Sequence, residues 1–93
     1  MSIGTVGVIG AGQMGAGVAQ VAAQAGVKVL LNDVDEALCL RGLRTVEHNL
    51  ERMIQRGRFT PTERDDILRR IDTSGNLEDL RHADFIIEAV VEQ

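Results

Sequence analysis

Val8-Ile9-Gly10-Ala11-Gly12-Gln13-Met14-Gly15 is the stretch on which the reading of this chain turns. Ahead of the glycines, Ile3 to Ile9 is short, β-branched and apolar, which predicts a buried strand. Behind them, Met14, Val18, Val21, Ala22 and Ala25 recur at helical spacing, which predicts an apolar stripe on a helix from Gln13 to Ala25, closed by Gly26. Val27 to Asn32 predicts a second strand. Strand, helix and strand within about thirty residues form a βαβ unit, and such crossovers are nearly always right-handed. In that context each glycine has its own task. Gly10 permits the tight turn out of the strand. Gly12 has no Cβ, so a pyrophosphate can approach the backbone. Gly15 lets the helix pack closely on the strands. The first-turn N–H groups and the helix dipole then favour phosphate charge.

Asp33 ends the second strand, 18 residues past Gly15. A carboxylate there can accept from both hydroxyls of an adenosine ribose and repels a 2′-phosphate, so the pattern predicts NAD over NADP. The competing readings are an ordinary close-packed turn for the glycines and an N-cap or solvated turn residue for Asp33. Asp35, however, is placed to cap the following helix instead. S-adenosylmethionine-dependent methyltransferases usually carry an acidic residue just before the glycines, where Val8-Ile9 stand. Flavoproteins more often place Glu at the end of the second strand. A triphosphatase loop needs Gly-Lys-Ser/Thr, which is absent.

The remaining sequence continues the alternation. Asp35 opens a long helix whose apolar stripe is Cys39, Leu43, Val46, Leu50, Met53 and Ile54, ending around Gly57. Thr60-Pro61-Thr62-Glu63 is a helix start with a capping Thr, Pro at the first position and Glu three after the cap. That helix carries Ile67 and Leu68 and ends near Arg70. Ile71 to Ser74 reads as a short strand, Asn76 as the cap of one helical turn through Leu80, and Phe85 to Val91 as a strand apolar enough for a parallel sheet.

Composition bounds the function. The 93 residues suit one small domain; a six-strand dinucleotide fold needs roughly half as much chain again. The net charge of -4, with nine Arg and one Lys, argues against nucleic acid as a partner, as does an aromatic content of two Phe. The single cysteine, Cys39, cannot form an internal disulfide. No apolar run approaches the ~18 residues of a membrane span, and no leader segment is evident. The expected location is the cytoplasm.

Two regions together resemble the 3-hydroxyacyl-CoA dehydrogenase family, especially its bacterial 3-hydroxybutyryl-CoA type. One is Val8 through Ala22, including the Gly17 and Gln20 continuation. The other is the Gly57–Phe59 turn, the Thr60–Glu63 helix start, Leu77-Glu78-Asp79-Leu80 and Ala83-Asp84-Phe85-Ile86-Ile87-Glu88-Ala89-Val90-Val91-Glu92. The resemblance implies NAD-dependent oxidation of a 3-hydroxyacyl-CoA to the 3-ketoacyl-CoA. It also implies a helical hairpin after the second strand and a C-terminal helical domain that dimerises. Cofactor contacts would fall on Gly10, Ala11, Gly12, Gln13, Met14, Gly15 and Asp33, with Glu92 near the cofactor. Asn49 and Arg56 match positions that touch coenzyme A, where the family more often has Ser and Lys. The family's catalytic His–Glu pair, with its Ser and Asn, lies beyond the fourth strand, so no catalytic residue is expected within 1–93. His48 and His82 read as a solvated helix face and a helix end.

The resulting expectation is an α/β fold: a Rossmann-type parallel sheet of about four strands with flanking helices and a helical hairpin. Residues 1–93 would form the N-terminal part of a NAD-binding domain, truncated and without the C-terminal dimerisation domain. Alone, the chain would be inactive and would self-associate through an uncompleted sheet edge. The parent protein would be a homodimer acting on a 3-hydroxyacyl-CoA. The alternatives are a stand-alone NAD(H)-binding or sensing module and another hydroxyacid dehydrogenase. Arg44, His48, Arg52 and Arg56 share one helix face, readable as a basic stripe for coenzyme A phosphates or as a solvated face balanced by Glu47 and Glu51.

Overall fold

The computed structural model describes residues 4–89. Along the chain run β1 (Thr5–Ile9), α1 (Gln13–Gln24), β2 (Lys28–Asn32), α2 (Glu36–Gln55), α3 (Pro61–Arg69), β3 (Ile71–Ser74), a 3-10 turn (Leu77–His82) and β4 (Phe85–Glu88). Ile3, Val90 and Val91, which the sequence assigns to strands, lie outside the described residues. The four strands form one sheet in the order β3-β2-β1-β4, and every neighbouring pair is parallel. The register sets Ile9 beside Asn32 on one side and Glu88 on the other, so the carboxyl ends of the central strands meet at the glycine loop.

Parallel strands joined by helical crossovers are covered on their faces and read as continuous apolar runs. The two central strands obey this: Val6, Val8, Val29 and Leu31 are buried. Helix α2 lies on the same core through Cys39, Val46 and Leu50, with Leu43 and Met53 partly buried beside them. Its predicted stripe is therefore the packed face. Asp35 caps α2 by accepting from the Ala37 N–H at 2.9 Å. Thr60 and Glu63 form the reciprocal capping box at the start of α3, at 3.2 and 2.9 Å. An Arg64–Glu51 ion pair ties α3 back to α2 and completes the hairpin. Glu51 thus holds α3 rather than balancing the basic residues of its own helix.

The predicted stripe of α1 lies only in part on its packed face, where Val18 and Ala22 are partly buried against the core. Gly15, Ala16, Ala19 and Ala23 are buried, whereas Met14 is 59% and Val21 67% exposed. A helix seated this close to a sheet admits only small side chains beneath it. The larger apolar residues are displaced to its flank. There Met14, Val18 and Val21 line an apolar groove with Ile87 of β4. Strand β4 is exposed along its whole length, being the sheet edge and paired with β1 alone among the described residues. Glu88, which would be costly in a buried strand, sits in this exposed edge. Among the described residues no helix is long and apolar enough to cross a membrane.

Candidate functional site

The glycine loop runs from the end of β1 into α1, and three structural facts shape it. Gly10 has φ 101°, a left-handed conformation that disfavours any side chain, and its N–H donates to the Asn32 carbonyl at 2.7 Å. Gly15 is required sterically: a Cβ there would lie 1.7 Å from the Gly10 carbonyl oxygen. A Cβ on Gly12 would meet nothing within 4 Å, so that side of the loop is open to a ligand.

The start of α1 differs from the other two helix starts. Gly12 is its N-cap and provides no side-chain hydrogen bond, and no acidic side chain stands in the first turn. Helices α2 and α3 each have a side-chain cap that takes up one of their first N–H groups. The orphan donors of α1 therefore remain for an outside acceptor, at the positive end of the helix dipole.

Asp33 sits directly beside this loop. Its Oδ2 accepts from the Ala11 N–H at 3.0 Å and its Oδ1 from the Asp35 N–H at 3.0 Å. It is neither the cap of α2, a role taken by Asp35, nor a merely solvated turn residue. The two bonds aim the carboxylate, and each oxygen retains lone-pair capacity for a further donor such as a ribose hydroxyl. An ADP-type ligand fits these groups: free N–H donors, an unobstructed Gly12 and an aimed carboxylate.

One contributor was not identified from sequence. Gly42 of α2 would place a Cβ 3.0 Å from the Ala11 carbonyl oxygen, so its lack of a side chain sets how closely α2 crosses the loop. Its position among Cys39, Val46 and Leu50, a small residue in an apolar stripe, was the available signal. That approach leaves a hollow of ≈ 230 Å³ lined by Ala11, Gly12, Gln13, Leu38, Arg41, Gly42 and Thr45. Cys39 is buried nearby, its thiol directed at the Leu31, Asp33 and Ser74 carbonyls. Burial, then the Asp33 charge, pushes that thiol above its ordinary 9.0.

The residues matched to coenzyme A lie apart from the loop. Asn49 is half-buried between α1 and α2, its Nδ2 donating to Gln20 Oε1 at 3.1 Å and its Oδ1 accepting from Arg52 at 2.7 Å. Arg56 caps the far end of α2 and is exposed, as are Arg44 and His48. His82 ends the 3-10 turn, also exposed. Neither histidine borders the hollow beside the loop. Asp84 accepts from the Gly4 and Thr5 N–H groups at 2.8 Å each and so fastens the start of β1. Glu92 lies outside the described residues.

Comparison with known proteins agrees with this geometry. The family model described as 3-hydroxyacyl-CoA dehydrogenase, NAD binding domain, matches residues 5–93. A probable 3-hydroxybutyryl-CoA dehydrogenase of Bacillus subtilis is 42% identical over 92 residues, covering 99% of this chain and 32% of that protein. A 3-hydroxybutyryl-CoA dehydrogenase of Mycobacterium tuberculosis is 44% identical over 91 residues, covering 98% of this chain and 32% of that protein. The crystal structure of the (S)-3-hydroxybutyryl-CoA dehydrogenase of Ralstonia eutropha superposes with a TM-score of 0.95 at 39% identity, covering 99% of this chain and 32% of that one. The chain thus spans about a third of the length of the curated relatives it matches.

Proposed function

This chain belongs to the family of NAD-binding domains of 3-hydroxyacyl-CoA dehydrogenases, with NAD as its cofactor, and from that premise we propose that it holds the adenosine and pyrophosphate of NAD(H) for an enzyme that oxidises a 3-hydroxyacyl-CoA to the 3-ketoacyl-CoA. The observation that carries the reading is the pairing of an uncapped α1 N-terminus with the Asp33 carboxylate, which is hydrogen-bonded to the same loop.

NAD, when bound, supplies the hydride acceptor. The chain's own residues do the binding. The first-turn N–H groups at Gly12, Gln13 and Met14 offset pyrophosphate charge, and Gly10, Ala11 and Gly15 hold those groups in position. Asp33 accepts from the ribose hydroxyls and disfavours a 2′-phosphate. Glu92 is assigned to the cofactor region by resemblance. For coenzyme A, Arg56 is the better of the two candidates: it is exposed, whereas Asn49 must first release Gln20 and Arg52. The family resemblance assigns the catalytic His–Glu pair and the helical dimerisation domain to positions that none of residues 1–93 match. The parent is a homodimer, and the cytoplasm is its setting.

The first experiment is a calorimetric titration of the chain with NADH and with NADPH. Selective NADH binding supports the site, and Asp33→Asn should weaken it and narrow its advantage over NADPH. Equal NADPH binding by the wild type would remove the role given to Asp33. No NADH binding by a folded sample would remove the site. The exposed edge of β4, with Phe85, Ile86 and Ile87 exposed, supports self-association of the isolated chain. A monomer in sedimentation at all concentrations would refute that.

A further inference from the structure

We propose that Arg41 of α2 is a cofactor-binding residue that neutralises the pyrophosphate from across the hollow beside the glycine loop. The proposal rests on the reading of that loop as the NAD(H) site and adds the cation which the loop itself lacks. Residues Gly10 to Gly15 include no Lys or Arg, and α1 (QMGAGVAQVAAQ) has no charged residue at all. The end of a helix offers about half an elementary charge, whereas a pyrophosphate diester carries two negative charges. A nearby cation would offset the charge that the helix end leaves.

Arg41 is in position to do so. Gly42 brings α2 to within 3.0 Å of the Ala11 carbonyl oxygen, measured to the Cβ it lacks, so the preceding residue stands at the loop. Arg41 lines the hollow whose opposite wall is Ala11, Gly12 and Gln13, the backbone that would face the phosphates. Its guanidinium is uncommitted: it is exposed and makes no ion pair or side-chain hydrogen bond among the described residues. The other arginines of the hairpin are mostly engaged. Arg52 donates to Asn49, Arg64 pairs with Glu51 and Asp65, Arg69 with Asp66, and Arg70 donates to the Ala23 carbonyl. Thr45, on the same wall, spends its hydroxyl on the Arg41 carbonyl at 2.9 Å, which leaves the guanidinium as the uncommitted donor there. The planar fork of a guanidinium suits two phosphate oxygens at once.

The test is calorimetric titration of the 93-residue chain and its Arg41→Ala, Arg41→Lys and Arg41→Glu variants with NADH and ADP-ribose at several salt concentrations. Arg41→Ala should weaken both ligands by about tenfold and flatten the salt dependence, with an unchanged melting curve. Arg41→Lys should recover part of the affinity, and Arg41→Glu should lose more than Arg41→Ala. Affinity within about twofold of wild type in Arg41→Ala, with the same salt slope, would overturn the proposal and leave the NAD site standing. A loss for NADH but not for ADP-ribose would also overturn it, because the contact would then lie on the nicotinamide side. No NADH binding by the wild type would overturn both the proposal and the reading beneath it.

Discussion

Alanine at Gly15 and alanine at Gly17, two residues apart on α1, should move stability in opposite directions. In a helix interior, alanine is favoured over glycine by about 1 kcal/mol. At Gly17 nothing lies within 4 Å of the new Cβ, so Gly17→Ala should gain about 0.5–1 kcal/mol. At Gly15 the new Cβ would fall 1.7 Å from the Gly10 carbonyl oxygen and 2.8 Å from its carbon. Ordinary contact would require α1 to move by on the order of 1.5 Å. The loop cannot yield instead, since Gly10 is bonded to Asn32 and Ala11 to Asp33. Overpacking of this kind costs about 1–3 kcal/mol or more, and an unyielding backbone puts Gly15→Ala at the upper end. After the propensity gain, a net loss of about 2 kcal/mol remains, or roughly 10 °C in Tm for a chain of this size. Gly12→Ala completes the series. Its φ of −71° suits alanine and its Cβ is unobstructed, so stability should hold within about 1 kcal/mol while NADH affinity falls at least about tenfold. Urea unfolding followed by far-UV circular dichroism, paired with NADH calorimetry, reads all three. If Gly15→Ala proved neutral or stabilising, the close packing of α1 on the loop would be wrong.

Further consequences follow from single groups. Because the Cys39 thiol is raised above its ordinary 9.0, folding favours its protonated form; stability should be full below that value and decline as pH climbs through it. Urea midpoints across that range should show the decline, and Cys39→Ala should flatten it. Thr60→Ala removes the cap of α3 and should cost about 1 kcal/mol in the same assay. Asn32 Nδ2 is buried with no partner among the described residues, so Asn32→Val should raise stability by about 1 kcal/mol. A loss there would mean that the amide is bonded in solution.

The site was legible in proportion to how local its causes are. Gly10, Gly12 and Gly15 lie within six consecutive residues, and Asp33 follows at the distance that one helix and one strand impose. Both caps of the hairpin could be read because a cap is a contact between residues two or three apart. Arg41 and Gly42 could not be read that way. Their role comes from α2 crossing a loop some thirty residues earlier in the chain, and the period of α2, which places Gly42 on its apolar stripe, does not say what that stripe crosses.

The sequence by itself determined the alternation of elements, the parallel sheet and the position of the glycine loop, because hydrophobic period, glycine placement and capping chemistry act over a few residues. Tertiary structure alone decided which face of α1 is buried and how tightly Asp33 is held. Helical spacing marked Met14, Val18, Val21, Ala22 and Ala25 as the apolar stripe of α1, yet only Val18 and Ala22 of these pack, partly buried, against the core, and the sheet buries Gly15, Ala16, Ala19 and Ala23. The reason is distance: a helix drawn onto a sheet by a missing Cβ leaves room for hydrogen and methyl groups only, and hydrophobicity has no means of encoding that gap.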